Sequence, residues 1–386
     1  MQNTLGLYIH VPFCLQKCEY CDFYSIAGTP AQMDAYVKAV ITHIKEAGRF
    51  CGKYTVDTVY FGGGTPSLLG VKRLAAIYKA CGSAFNLSKN PEITAEVNPG
   101  TVDKKLLKKL FRAGFNRLSI GVQTLDGTRL LELGRAHTSE QAASAFLDAR
   151  TAGFENISVD LLYGLPGHTL EEWRGTLESI IKWQPEHISC YGLKLEEYTP
   201  LYAKNPSLPD DDLQADMYLL ADELLVQAGF RHYEVSNFAK PSRESRHNMK
   251  YWTLQPYMGF GPAAHSDFDG RRFSYVKSIK GYIEGISGDN EVIAQSEIIP
   301  EIERAGEYLM LNLRTDTGVS SNEYSRMFRA SFDSIEANLK RFEEHGITLR
   351  TGDRWRLTPK GFLVSNAVIS SILGTAADSV QILNYK

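Results

Sequence analysis

Three thiols stand within eight residues near the start of the chain: Cys14, Cys18 and Cys21, spaced Cys-x3-Cys-x2-Cys. Such a group cannot pair off as disulfides without leaving one thiol over. It can hold one multi-iron centre. Iron–sulfur cubanes usually take four cysteine ligands, so three would leave one iron with an open position for a further ligand. Zinc is the competing occupant, but it asks for four tetrahedral ligands, commonly as two pairs, and no second Cys/His pair has that spacing here. Three incidental thiols are the remaining alternative.

The elements around this loop follow a repeating pattern. The loop comes after a strand-like run, Leu5–Val11, closed by Pro12. Met33, Tyr36, Val37, Val40, Ile41 and Ile44 then recur at helical steps. Strand-like runs at 56–61, 93–97, 117–122, 157–162 and 187–195 alternate with helical stretches at 71–83, after Asp103, at 139–152, after Thr169, and at 211–228. Asp103 is placed to cap its helix, and Thr169 with Glu172 forms a capping box. Six strands alternating with six helices over short connections predict a parallel α/β sheet wound by right-handed crossovers. An open doubly wound sheet and a barrel-like closure both fit. Tyr8, Phe61-Gly62, Glu96, Gln123, Asp160 and Tyr191 fall at or near the carboxyl ends of successive strands, where barrels build their sites.

The rhythm breaks from Phe230 to Ile299. After it come helices around Ala305–Leu313, after Ser321 and around Ile335–Phe342, then a hairpin, Ile347–Arg350 and Arg354–Leu357, and a final helix from Pro359 past Ile369. That order is winged-helix-like. The chain therefore divides into an α/β domain at 1–229, a connecting region at 230–299 and a mainly α domain at 300–386. Winged helices often bind DNA, but a net charge of −3 over 386 residues gives no broad phosphate-binding face, so the last domain is read as a packing or lid domain and nucleic acid is not expected as a partner. No run approaches the length of a membrane span, and no basic leader precedes the first strand. Peripheral membrane contact stays open. Cys51, Cys81 and Cys190 are scattered rather than arranged as a disulfide framework, which suits a reducing cytoplasm.

Gly62-Gly63-Gly64-Thr65-Pro66 closes the second strand. Glycine lets another chain or a ligand approach the backbone and frees N–H donors. The Gly-Lys-Ser/Thr ending of a phosphate loop is missing.

Taken together, the cysteine loop after a first strand resembles the cluster loop of radical S-adenosylmethionine (SAM) enzymes. The resemblance settles the closure as an incomplete (β/α)6 barrel. It implies that Cys14, Cys18 and Cys21 hold a [4Fe–4S] cluster and that SAM chelates the fourth iron. One electron, from a donor such as flavodoxin or ferredoxin, would cleave SAM to methionine and a 5′-deoxyadenosyl radical. It places Gly63, Gly64 and Thr65 beside the methionyl amino group of SAM. Glu96, Gln123, Arg135 and Asp160 become one polar set around SAM, with Glu96 and Asp160 as acceptors from its hydroxyls and Arg135 a partner for its carboxylate, and Tyr8 and Tyr20 become aromatic contacts to cluster and SAM. For each polar residue the alternative is a strand-end group that solvates a rim.

Val-Asn-Pro, Gly-Val-Gln, Gly-Arg and Asp-Leu-Leu-Tyr-Gly-Leu-Pro, in that order, resemble the oxygen-independent coproporphyrinogen III oxidase family and its relatives. Two features depart from the oxidase: Phe23 stands where it carries a further cysteine, and its long segment before the first strand has no counterpart. Both resemble the HemW-type haem chaperones, as does His247-Asn248-Met249-Lys250-Tyr251-Trp252, which fits their H-N-x-x-Y-W signature. That resemblance implies haem as a third cofactor, with His247 a competent iron ligand, Asn248 beside it, and Tyr251 and Trp252 as flat faces for a porphyrin. A histidine hydrogen-bonded in an aromatic core is the alternative; His265, in Gly-Phe-Gly-Pro-Ala-Ala-His, is a rival ligand. The expected function is a haem chaperone that delivers haem to haemoproteins such as respiratory enzymes. The alternatives are radical decarboxylation of coproporphyrinogen and a cluster-stabilised DNA-binding regulator.

Overall fold

The computed structural model describes residues 3–288 and 291–383, with side chains described to 375. Six parallel strands carry the site: β1 (Thr4–Val11), β2 (Thr55–Gly63), β3 (Asn86–Val97), β4 (Arg117–Gln123), β5 (Ile157–Tyr163) and β6 (His187–Gly192). Helices α1 (Pro30–Gly48), α2 (Gly70–Ala84), α3 (Lys104–Arg112), α4 (Gly127–Glu132), α5 (Ser139–Ala152) and α6 (Leu170–Trp183) lie in the crossovers. The strands are apolar on their outer face, where Val59, Ile93, Ala95, Leu118, Ile120, Val159 and Ile188 pack under the helices in one continuous core. Their inner face carries Tyr60, Glu96, Ser119, Asp160 and Ser189 at period two, as a strand buried on both sides of a barrel requires. Three helices open with a complete capping box, at Thr29/Gln32, Thr138/Gln141 and Thr169/Glu172. Asp103 caps α3 by accepting the Leu106 N–H.

After β6 the chain forms α7 (Pro200–Lys204), α8 (Asp211–Gln227), β7 (Arg231–Glu234), β8 (Asn237–Ala239), α9 (Arg246–Trp252), β9 (Tyr257–Phe260), β10 (His265–Phe268), β11 (Arg271–Tyr275), α10 (Ile279–Ile286) and β12 (Ile293–Ile298). The stretch whose periodicity breaks is thus rich in short strands, and all of them join the barrel sheet. Strand β9 pairs in parallel with β1, and β8 antiparallel with β6. The resulting order is β12-β11-β10-β9-β1-β2-β3-β4-β5-β6-β8-β7. The arrangement is an α/β partial barrel extended at both edges.

The remainder folds as α11 (Glu301–Asn312), β13 (Val319–Ser320), α12 (Ser321–Phe328), α13 (Asp333–Glu343), β14 (Thr348–Thr351), β15 (Arg354–Leu357), α14 (Pro359–Leu363) and α15 (Ser365–Leu383) around its own core of Leu309, Leu339, Trp355 and Ile372. The strands form a three-stranded sheet in the order β13-β15-β14, the wing of a winged helix. Helix α12 begins at Ser321 itself, with Ser320 as its cap, one residue earlier than the helix expected after Ser321. The expected last helix is two, broken at Val364.

Candidate functional site

A cavity of about 360 Å³ opens at the carboxyl ends of β2 to β6, within the range of small-ligand sites. It gathers twelve of the residues assigned above to cluster, SAM or haem, Cys14, Cys18, Cys21, Tyr20, Gly63, Gly64, Thr65, Glu96, Gln123, Arg135, Asp160 and Asn248, together with Phe23 and Tyr191. Gln123 ends β4 in the left-handed region, at φ 68°, a strained conformation for a non-glycine residue that turns the chain at the rim of the site.

The cysteine loop is held at both ends and in the middle. The Cys14 N–H donates to the Ile26 carbonyl, and the Ile26 N–H to that of Pro12. In the middle, the Glu19 N–H donates to Leu133 at the end of α4, while the Glu19 carbonyl accepts from Leu201 on α7. Tyr20 packs against the cluster Leu133, Leu162, Leu165, Leu193 and Leu201. The loops after β4 and β6 therefore clasp the thiol loop between them. Burial pushes the Cys21 thiol up to about 11, and the neighbouring Cys18 and Cys14 thiols add to the shift. Iron would reverse that penalty by taking the thiolate as a ligand. Among the described residues no three His, Cys, Asp or Glu side chains group around one point as for a single ion. A cubane takes each thiolate on a different iron, so it needs sulfurs around a volume rather than around a point.

The glycine turn serves a purpose that differs from the one its composition suggests. A Cβ on Gly64 would lie 2.7 Å from the Phe13 carbonyl oxygen, and one on Gly63, at φ +103°, 2.5 Å from the His10 ring. The glycines thus let the turn press against the exit of β1. Their N–H groups are already taken: Gly63 donates to Glu96, Gly64 to Val11 and Thr65 to Phe13. What this backbone can still offer a ligand is carbonyl oxygen, suited to an amino group.

Glu96 accepts from the Tyr60 hydroxyl at 2.8 Å and from Gly63 at 3.1 Å, so it anchors the turn. Burial pushes its carboxyl up to about 7, with the Asp160 charge adding. Asp160 accepts from Ser119, Ser158 and Ser189, three of the four bonds falling on Oδ1. Its Oδ2 takes only the Ser119 hydroxyl and keeps capacity for a ligand hydroxyl. Arg135 donates through Nη2 to Asn98 and to the Gly121 carbonyl, and through Nη1 to the Cys18 sulfur at 3.4 Å. Its Nε is buried without a partner, an orphan donor that an anionic ligand group could satisfy.

Four of the expected residues lie outside this cavity. Tyr8 stacks on Tyr60 and His247, with its hydroxyl against His10 Nδ1 at 3.1 Å. His247 is 1% exposed. Both its ring nitrogens are bonded, Nδ1 to Thr58 and Nε2 to Tyr251, each at 2.8 Å. Burial lowers it to about 3, with Lys250 and Arg117 adding. Tyr251 and Trp252 are half-buried on the same short helix. Glu92 receives the first two N–H groups of that helix, from Arg246 and His247, so α9 is seated on β3. Only Asn248 of the motif reaches the cavity. His265, by contrast, is exposed at the start of β10.

Tyr60, Asn98, Arg117, Ser119 and Ser189 also line the cavity and were not singled out from the sequence. Ser119 and Ser189 had a signal, small polar residues at inward positions of apolar strands. Asn98 stood in plain view in the Val-Asn-Pro that carries the family resemblance, where no role was assigned to it.

The sequence profile of the radical SAM superfamily matches residues 8–180, and that of the HemN C-terminal domain matches residues 299–364. The curated protein Heme chaperone HemW of Lactococcus lactis is 31% identical, over 97% of this chain and 98% of its own. Those of Haemophilus influenzae and Escherichia coli are each 33% identical over 96% of this chain and 98% of theirs. Coproporphyrinogen III oxidase (HemN) of Escherichia coli, described as a radical SAM enzyme, superposes with a TM-score of 0.83 at 21% identity, covering 97% of this chain and 90% of its own; that likeness shows the fold. With three thiols on a clasped loop over a barrel mouth, and full-length similarity on this scale, the chain belongs to the radical SAM superfamily and, within it, to the HemW family.

Proposed function

We propose that this protein is a haem chaperone, which binds haem beside a radical SAM centre and passes it to recipient haemoproteins such as respiratory enzymes, in the cytoplasm. The observation that carries the reading is the match to heme chaperones over nearly the whole length of both chains. The geometry adds that Phe23, 61% exposed, lines the cavity at the position where the oxidase group has its further cysteine. No helix of the described residues is long and apolar enough to cross a membrane.

In this reading Cys14, Cys18 and Cys21 hold the [4Fe–4S] cluster. Gly63, Gly64 and Thr65 lie along the amino group of SAM, Asp160 and Gln123 take its hydroxyls, and Arg135 faces its carboxylate. Glu96 acts through the glycine turn it anchors, and Tyr20 through the loop it packs. When bound, the cluster supplies an electron to SAM, received from a flavodoxin- or ferredoxin-type donor. His247 and His265 are the two candidate iron ligands for haem. His265 is open to solvent, whereas His247 must first release Thr58 and Tyr251. Tyr8, Asn248, Tyr251 and Trp252 belong to the wall that such a release would expose.

The test is transfer. Haem-loaded protein is mixed with an apo-haemoprotein, and the acceptor's Soret band is followed, with His247→Ala and His265→Ala measured in parallel. Transfer that one substitution abolishes supports the reading and names the ligand. Haem that never leaves, or never binds, overturns it.

A further inference from the structure

Two cluster thiols that lie apart in the loop meet one hydrogen-bond chain. Arg135 Nη2 donates to Asn98 Oδ1 at 2.7 Å, Asn98 Nδ2 donates to Thr65 Oγ1 at 2.9 Å, and Thr65 Oγ1 lies 3.5 Å from the Cys14 sulfur. At the other end Arg135 Nη1 lies 3.4 Å from the Cys18 sulfur. The polarity of the chain is fixed by chemistry. Arginine only donates, so the oxygen of the Asn98 amide must face it, and the NH2 group must face Thr65. The Thr65 hydroxyl then accepts from Asn98, and its own hydrogen is left to point at Cys14. The Asn98 backbone is fixed beside them, because its main-chain carbonyl accepts from both the Thr101 N–H and the Thr101 hydroxyl.

We infer that Asn98 is a positioning residue for the cluster: it sets one N–H donor on Cys18 and one O–H donor on Cys14 at the same time, and so tunes the cluster's reduction potential. Hydrogen bonds to the sulfurs of an iron–sulfur centre stabilise the more negative, reduced state and raise the potential. Partners one step beyond the ligands also hold those ligands in place. Asn98 serves both ends through one amide, which neither Asp nor Ala can do: Asp would accept from Thr65 and turn its hydrogen away from Cys14, and Ala removes the donor to Thr65 and leaves Arg135 Nη2 with the Gly121 carbonyl as its one anchor.

The inference rests on the cluster reading above, and the experiment separates the two. Wild type, Asn98→Ala, Thr65→Val and the double variant are reconstituted anaerobically, assayed for iron, checked by circular dichroism, and titrated electrochemically with the reduced cluster followed by electron paramagnetic resonance. Absence of a cluster in the wild type defeats the cluster reading itself. Given a loaded wild type, Asn98→Ala and Thr65→Val each shift the midpoint to more negative values at full iron content, and the double variant shifts less than the sum, because both share the Thr65 arm. A wild-type midpoint in folded, loaded Asn98→Ala overturns the inference, as does strict additivity. If Asn98→Ala does not fold, Thr65→Val alone decides by the same criterion, shifted or unshifted.

Discussion

Cys18 sits in the middle of the clasped loop, and its sulfur receives Arg135. Cys18→Ser is expected to reduce reconstituted iron to background while leaving the far-ultraviolet circular dichroism of the barrel unchanged, since the loop contributes no strand. Iron retained at the wild-type level would contradict the three-thiol assignment. Glu96 makes a pH-dependent prediction. Its folded value of about 7 lies above the ordinary 4.5, mainly through burial. Between those values the folded chain keeps a proton that the unfolded chain has released, so stability falls as pH rises and the loss is complete above about 7. Glu96→Gln removes that dependence. In urea unfolding of the cluster-free protein, the variant should gain roughly 2 kcal/mol on the wild type between pH 5 and pH 8; a constant gap would contradict the buried-acid picture. The three thiols were legible because their spacing is local. Asn98 was not, because Thr65 comes to it from just past the end of β2 and Arg135 from the turn after α4, and no local pattern carries that meeting. His247 was legible as a motif but not as a contact: Thr58, nearly two hundred positions away in the chain, takes its Nδ1.

Helix α7 is five residues long, yet it closes the clasp on the cysteine loop through Leu201. Leu201→Ala should cost about 2–4 kcal/mol locally and speed iron loss to a chelator several-fold, with the barrel still folded; an unchanged release rate would mean that the loop holds itself. In α9, Tyr251→Phe leaves His247 Nε2 without its partner inside the protein. The expected cost is about 1–2 kcal/mol, read as a lower midpoint in thermal unfolding. The barrel strands and their helices were readable because apolar periodicity and caps such as Asp103 and Thr169 act locally. The stretch from 230 to 299 was not. Its strands are three to six residues long, too short for a period to show, and they are specified by edges of β1 and β6 laid down far earlier in the chain.

At the scale of the molecule, the winged-helix part is continuous with the barrel. Val235 donates to Arg314, Asp316 to Tyr233, and Arg231 pairs with Asp316. Tyr218 of α8 enters the second core, and His232 packs on Phe362 with ring centroids 5.2 Å apart. That part therefore rests on the last barrel helix and the edge strand β7, which fits a packing role. The central claim concerns what the barrel mouth receives. The direct test is anaerobic: the cluster is reconstituted, then haem and coproporphyrinogen are titrated in separate samples, with SAM and a reductant present, following the Soret band and the product porphyrin. The expected result is stoichiometric haem binding with no protoporphyrinogen formed. Turnover of coproporphyrinogen with release of methionine, and no haem retained, would make the protein an oxidase in spite of Phe23 and would contradict the chaperone reading.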